Sequence, residues 1–261
     1  MFCFNVRPLD LYIFSDFFRR NQPTVQFEDL RSVAILAVKY KVDYVKEEAI
    51  NRLSQVFPSS SMDEWDTHLM QDDDNPPIEL TGRDAIAVVG LARLLGAHFL
   101  LPLAFYVCAN QGDDLITGVQ YDNDLVRLSE DDQLTCLAVR DEMLEGKNDV
   151  VGLLAEYLTD TPFDDCETPE ACRGAIRKLN LKAVEDRCFM DPSAIDPMDD
   201  WIDRAYRKDK SRKPCADCDE HLRSTINSRR EDVWNGLGHL VGVHTWPFDP
   251  ADQDDKGKIR Q

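Results

Sequence analysis

The sequence lacks any apolar run of the length that a membrane span needs, which is about 20 mostly apolar residues. Residues 1–7 also lack the basic start and the apolar core of a secretory signal peptide. Both absences argue against a membrane partner and against secretion, so we expect a protein that is neither inserted in a membrane nor exported.

Positive charge is scarce as well. Lys and Arg total 30 against 49 Asp and Glu, and the formal net charge is -19. Binding to a phosphate backbone or to an anionic membrane surface depends on local positive charge. The composition therefore predicts no nucleic-acid partner and no membrane partner.

Enzyme signatures are missing too. The sequence has no phosphate-cradling glycine loop, no His-Glu-x-x-His motif and no Gly-x-Ser-x-Gly motif. We therefore expect a protein that is not an enzyme. An unrecognised enzyme is the rival hypothesis, because a fold does not by itself fix a function.

Cysteine is too sparse and too irregularly spaced for a secreted disulfide framework, with 8 in the whole chain. A reducing intracellular compartment is therefore predicted, namely the cytoplasm, the nucleus or both. The basic cluster over residues 204–213 is more typical of a solvated helix end than of a nuclear import signal.

What the sequence does contain is helical periodicity, at a hydrophobic content of 43% that suits a globular protein. Residues 27–57 carry two short amphipathic helices with a tight connection, and Asp43 is placed to cap the second one. The apolar positions are Leu30, Val33, Ala34, Ala37 and Val38 in the first helix and Val45, Ala49, Leu53 and Val56 in the second. Neither helix is long enough to be stable alone in water, so each is predicted to bury its apolar face.

The order of residues in this stretch is more specific than its periodicity. Leu36-Ala37, Lys39-Tyr40, Val42, Val45-Lys46 and Ala49 follow one another here, and Leu9-Asp10-Leu11-Tyr12 stands upstream. This order resembles the helix pair in the second half of BTB/POZ domains and the segment that precedes it. Residues 91–104, 215–218 and 229–234 are similar to the region that follows the BTB core in the large fungal, basidiomycete-type group.

The resemblance implies a mainly α protein: a BTB/POZ-like remnant followed by a helical carboxy-terminal extension. It also implies a protein–protein interaction module without catalysis, because BTB domains typically self-associate and some bridge a substrate to a cullin ubiquitin-ligase scaffold. The family-matching fold positions are Leu36, Tyr40, Val45 and Leu53. The strand, helix and hairpin that open a complete BTB domain have no counterpart before Leu9, so its amino-terminal half is predicted to be absent.

We predict a partial BTB/POZ-like domain over residues 1–70, an acidic linker over 71–80, a helical extension over 81–245 and a polar tail over 246–261. Turn and capping signals divide the extension into helices, with starts near residues 81, 102, 129, 148, 168, 196 and 218. No strand is predicted after residue 30.

The candidate chemistry of the chain lies in two cysteine pairs, Cys166-x5-Cys172 and Cys215-x2-Cys218. Four thiolates can complete a tetrahedral zinc site, and each pair stands at a predicted helix start, where the helix dipole favours a thiolate. One structural zinc ion would then staple the carboxy-terminal helices together, with His221 able to replace one cysteine. This is the second function hypothesis: a zinc-stabilised helical domain that binds an unknown partner.

Two other interpretations of these cysteines remain open. The four can be ordinary reduced thiols, partly packed as small apolar groups. Cys215 and Cys218 can also form a redox pair of the thioredoxin type, but that motif follows a strand, and no strand pattern precedes Cys215.

Overall fold

The structure is a computed structural model, and it describes residues 24–70, 75–121, 124–159 and 166–248. Three stretches that the sequence analysis discusses lie outside the described residues: the Leu9-Asp10-Leu11-Tyr12 segment, the acidic run at 72–74 and the tail beyond residue 248. The described chain is mainly α-helical, as the sequence predicted.

The helices of the described chain vary from four residues to 30. They are α1 (Phe27–Tyr40), α2 (Asp43–Val56), α3 (Met62–Met70), α4 (Ala85–Leu95), α5 (Leu101–Cys108), α6 (Asp114–Thr117), α7 (Glu130–Thr159), α8 (Pro169–Glu185), α9 (Asp199–Lys208) and α10 (Ala216–Leu240). Short 3-10 turns lie at Gly82–Asp84, His98–Leu100, Cys188–Met190 and Lys210–Arg212.

Within the described residues, four short strands form two sheets of two strands each. The parallel pair is β1 (Val25–Gln26) with β2 (Ile78–Glu79), and the antiparallel pair is β3 (Val119–Tyr121) with β4 (Asp124–Val126). The expectation that no strand follows residue 30 is therefore wrong. Each strand has only two or three residues, too few for alternating hydrophobicity to be recognised in a sequence.

The chain divides into two compact units. The first unit comprises residues 1–137 and 238–261, and the second comprises residues 138–237. Their boundaries fall inside α7 and α10. The domain boundaries predicted near residues 70 and 80 stay a prediction.

The helix pair α1 and α2 lies in the first unit, and the two helices pack against each other. α1 ends at Lys41, which adopts a left-handed conformation (φ 57), and the Val42 N–H donates to the Ala37 carbonyl at 2.9 Å. These are the marks of a helix C-terminus that turns back sharply on itself. The predicted tight connection between the two helices is confirmed.

The apolar faces of the pair meet as predicted. Val33, Ala37 and Val45 form a buried cluster, with Tyr40 and Val42 partly buried against it. The prediction that Asp43 caps α2 is wrong. Val42 holds the cap position, Asp43 is the first helical residue, and no side-chain hydrogen bond caps this end.

Capping is confirmed at the start of α7, where the Asp132 N–H donates to Ser129 Oγ at 3.1 Å. The Arg93 guanidinium of α4 donates two hydrogen bonds of 2.6 Å to the Asp132 carboxylate. Burial alone would raise the pKa of Asp132, but Arg93 and Ser129 outweigh it and hold that pKa below its ordinary value. Asp132 therefore stays ionised where α7 begins.

The sequence predicted two helices here, with starts near residues 129 and 148. The structure has one continuous helix, α7. The helix runs without a break through Gly146, although a glycine inside a helix weakens it. A Cβ added at Gly146 would lie 2.8 Å from the Val233 side chain of α10. The glycine therefore permits a close approach of two helices within the second unit.

The core of the second unit draws on four helices. Its buried members are Val150, Val151, Leu153, Leu154 and Tyr157 on α7; Cys172, Ile176, Leu179 and Ala183 on α8; Met198, Ile202, Ala205 and Tyr206 on or just before α9; and Cys218, Leu222 and Ile226 on α10. Cys166, Cys188, Trp201 and Cys215 are partly buried and pack against this core. The core thus fixes the helices that carry three of the four predicted ligands. Cys172 lies on α8, Cys218 lies on α10, and Cys215 directly precedes α10.

Candidate metal centre

The structure brings all four predicted cysteines together at one edge of the second unit's core. One sulfur atom from each of Cys166, Cys172, Cys215 and Cys218 lies within 4.8 Å of the other three. Cys172 and Cys218 are buried, whereas Cys166 and Cys215 are only partly covered. The described chain therefore holds a quartet of sulfurs that can bind a metal ion.

Helix starts place three of these side chains. α8 begins at Pro169 after Thr168, as predicted, and Cys172 lies in its first turn, where its N–H donates to the Thr168 carbonyl at 3.0 Å. Cys215 directly precedes α10, and its carbonyl accepts from the Asp219 N–H at 2.9 Å, which puts Cys218 in the first turn. Two helix N-termini thus converge on one point.

The sulfur separations match a tetrahedral site. Cys166 Sγ lies 3.6 Å from Cys172 Sγ and 3.8 Å from Cys215 Sγ. Four sulfurs at the zinc–thiolate distance of about 2.3 Å define a tetrahedron whose edges measure ~3.8 Å. A set of this size accommodates one metal ion at its centre.

Backbone donors already face the sulfurs. The Cys215 N–H donates to Cys172 Sγ at 3.3 Å, and the Thr168 N–H donates to Cys166 Sγ at 3.4 Å. The Thr168 hydroxyl lies 3.6 Å from Cys172 Sγ. Such donors stabilise thiolates and hold ligands in place around a metal. The role of Thr168 is not visible in the sequence, where it is recognisable only as a helix start.

Without a bound cation the site disfavours ionisation. Burial raises the pKa of the Cys218 thiol far above its ordinary value, and the neighbouring sulfurs of Cys215, Cys166 and Cys172 raise it further. Burial and the neighbouring sulfurs therefore oppose the thiolate that the helix dipole favours. A bound dication supplies the opposing charge that crowded thiolates need, and a coordinating thiol loses its proton.

A network of charges that the sequence analysis missed lies beside Cys218. Arg223 of α10 bonds Asp199 at 2.6 Å and Asp203 at 2.7 Å on α9, and it approaches Asp219 at 3.4 Å on its own helix. The Tyr206 hydroxyl donates to Asp219 at 2.7 Å. This network ties α9 to the turn of α10 that carries Cys218. The only signal in the sequence is the spacing of four between Asp199 and Asp203 and between Asp219 and Arg223.

The other predicted positions are not members of the sulfur quartet. His221, proposed as a substitute ligand, is exposed and lies outside the sulfur quartet, and its ring is 5.9 Å from that of Tyr157. In the first unit, Val45 and Leu53 are fully buried, Tyr40 is half-buried, and Leu36 is 39% exposed. The family-matching positions are thus mostly core positions, and Leu36 is the most exposed of them.

Among the other cysteines, Cys108 and Cys136 are buried in the first unit and Cys188 is half-buried in the second. Burial raises the pKa of the Cys188 thiol. Cys3 lies outside the described residues.

Comparisons with protein-family models, with curated proteins and with solved structures find no match for this chain. Among the described helices, none is both long enough and apolar enough to cross a membrane.

Proposed function

We propose that the second unit is a helical structural domain stabilised by one zinc ion, and that the whole chain is a non-enzymatic protein that binds other proteins. The single observation that carries the first part is the quartet of sulfurs within 4.8 Å of one another. Four protein ligands fill a tetrahedral zinc ion and leave no position for water or substrate, which is the mark of a structural rather than a catalytic site.

The donor set favours zinc over other metals. Calcium and magnesium take oxygen ligands, whereas tetrahedral sets of four thiolates bind zinc or iron. Sulfide-bridged clusters put two or more irons between the thiolates and need a wider set than one whose members all lie within 4.8 Å. A mononuclear site fits best, and zinc is the redox-inert ion for a structural role.

Metal analysis of purified full-length protein tests this proposal. We expect one equivalent of zinc per chain, and we expect Cys215→Ser to lose most of it, because a structural tetrahedral site needs all four ligands. Cys188→Ser is the matched control, since Cys188 packs on the same core but lies outside the quartet, and it should keep one equivalent. Equal zinc in all three proteins, or none in any, would refute the metal site.

For the first unit we propose a protein-binding role of BTB/POZ type. What supports it is the α1–α2 pair, whose short connection and shared cluster of Val33, Ala37 and Val45 suit the helix pair that the residue order resembles. Self-association and binding to a cullin scaffold remain the two partner predictions. We also propose an intracellular location, in the cytoplasm, the nucleus or both, because a thiolate-bound metal requires reduced cysteines.

A further inference from the structure

One segment of this acidic chain is rich in positive charge. Residues 201–213 hold six Lys and Arg against two Asp, in a protein whose formal net charge is -19. This segment comprises α9 and the 3-10 turn Lys210–Arg212, both of which pack against α8. The second unit thus carries a basic surface that the metal site does not use.

A groove lies between α8 and α9 on this surface. Its cavity measures about 380 Å³ and is lined by Lys182, Asp186, Trp201, Arg204, Ala205 and Lys208. Three of the six lining residues are cations and one is an acid, so the groove carries a net positive charge.

The acidic residue of the groove, Asp186, already has bonding partners within the groove. Asp186 accepts a hydrogen bond from Trp201 Nε1 at 3.0 Å and forms an ion pair with Lys182. The hydrogen bond from Lys182 is the main reason that the pKa of Asp186 is lowered, with smaller contributions from Trp201 and Lys208. The carboxylate is therefore ionised and holds Trp201 and Lys182 in place on the groove wall.

Arg204 and Lys208, unlike Lys182, line the groove without a carboxylate partner in the described chain. They are exposed and one helical turn apart on α9, so they lie on the same face of that helix. Neither side chain has a hydrogen bond or an ion pair of its own with any described residue. Other arginines of the chain do have carboxylate partners, as Arg93 does with Asp132 and Arg223 with Asp199 and Asp203.

We propose that this groove binds an acidic polypeptide segment, whose carboxylates pair with Arg204 and Lys208 while an apolar side chain packs on the Trp201 indole. Arg and Trp are enriched among the residues that dominate binding energy at protein interfaces. Arginine suits carboxylates because its planar fork can hold both oxygens. The inference rests on the proposed protein-binding function and gives it a surface and a class of partner.

An acidic polypeptide fits better than a nucleic acid. A single partly exposed indole provides one stacking site instead of the series that a single strand uses. A cavity of about 380 Å³ accommodates one or two side chains. A short run of carboxylates with one apolar residue satisfies both the charge and the shape.

Fluorescence polarisation of the zinc-loaded full chain tests the proposal, with a labelled short peptide of Asp, Glu and Leu as the probe. We expect saturable binding that weakens with salt, and at least about tenfold weaker binding by the double variant Arg204→Glu with Lys208→Glu. Arg140→Glu is the control, since it makes the same kind of charge change at an exposed position of α7 in the same unit. It should leave the affinity within about twofold of wild type, because Arg140 does not line the groove.

Three results would overturn the proposal. The first is no binding of the acidic peptide, and the second is equal weakening by Arg140→Glu, which would mean diffuse charge attraction. The third is tighter binding of labelled single-stranded DNA that displaces the peptide. Metal content and helicity measured on the same samples separate these outcomes from failure of the metal site, because a folded, zinc-loaded protein that ignores the peptide refutes the groove alone.

Discussion

Removal of zinc by a chelator is expected to lower the Tm of the zinc-loaded protein by roughly 15–30 °C. A ligand that binds only the native state stabilises it by about 4 kcal/mol when its free concentration is ~1,000 times its Kd. Each kcal/mol moves the Tm of a domain of this size by about 4–8 °C. The shift should appear in the helical signal, because the sulfur quartet fixes the starts of α8 and α10.

We expect a large effect because a metal ion at this site would join parts of the chain that are distant in sequence. Cys166 and Cys215 are 49 residues apart in sequence, and their sulfurs lie 3.8 Å apart. Without a metal, the buried Cys218 thiol stays protonated and contributes only packing. The buried core of the second unit should keep part of its helical structure, so we expect a lower and broader transition rather than complete unfolding.

The controls for this experiment are simple. Returning one equivalent of zinc should restore the original Tm, whereas calcium should not, because it prefers oxygen ligands. Chelation of Cys188→Ser should shift the Tm as much as chelation of the wild type, since Cys188 lies outside the quartet. An unchanged Tm after complete removal of zinc would show that the cysteines are ordinary packed thiols.

The second large effect is expected at Leu53 in the first unit. Leu53→Ala should lower the free energy of unfolding by about 2–5 kcal/mol, because a fully buried leucine loses its contacts and leaves a cavity. Leu36→Ala is the matched control on the partner helix, since Leu36 is 39% exposed and should cost at most ~0.5 kcal/mol. Urea unfolding of the two variants measures both values.

The comparison between these two leucines tests the proposed helix pair. The residue order assigns both positions to the same family pattern, but the structure gives them different environments. Equal losses of stability in the two variants would contradict the packing of α1 against α2 described above. A small loss for Leu36→Ala combined with weaker binding of a protein partner would identify Leu36 as part of an interface.

Much of this architecture could be predicted from local patterns. The stop at the end of α1, the cap at Ser129 and the Thr168-Pro169 start are all short-range signals, and each appears where it was expected. The four cysteines could be grouped because a metal site imposes a recognisable ligand type and spacing. Their mutual distances depend on how α8 and α10 pack, which no spacing in the sequence encodes.

The misses have a common physical cause, which is that tertiary contacts override local preference. Gly146 is a poor helix former, but it lies inside the continuous α7, where its missing side chain leaves room for Val233. Asp43 is a good capping residue, but the backbone places it one position inside α2. Arg223 on α10 bonds Asp199 and Asp203 on α9. Nothing in the sequence indicates that these residues of two separate helices are partners.

The most direct test of the central claim is X-ray absorption at the zinc edge of the full-length, zinc-loaded protein. We expect a first shell of four sulfur atoms at about 2.3 Å, supplied by Cys166, Cys172, Cys215 and Cys218. A first shell that contains nitrogen or oxygen at about 2.0–2.1 Å would contradict it, because it would mean that His221, a carboxylate or water completes the site.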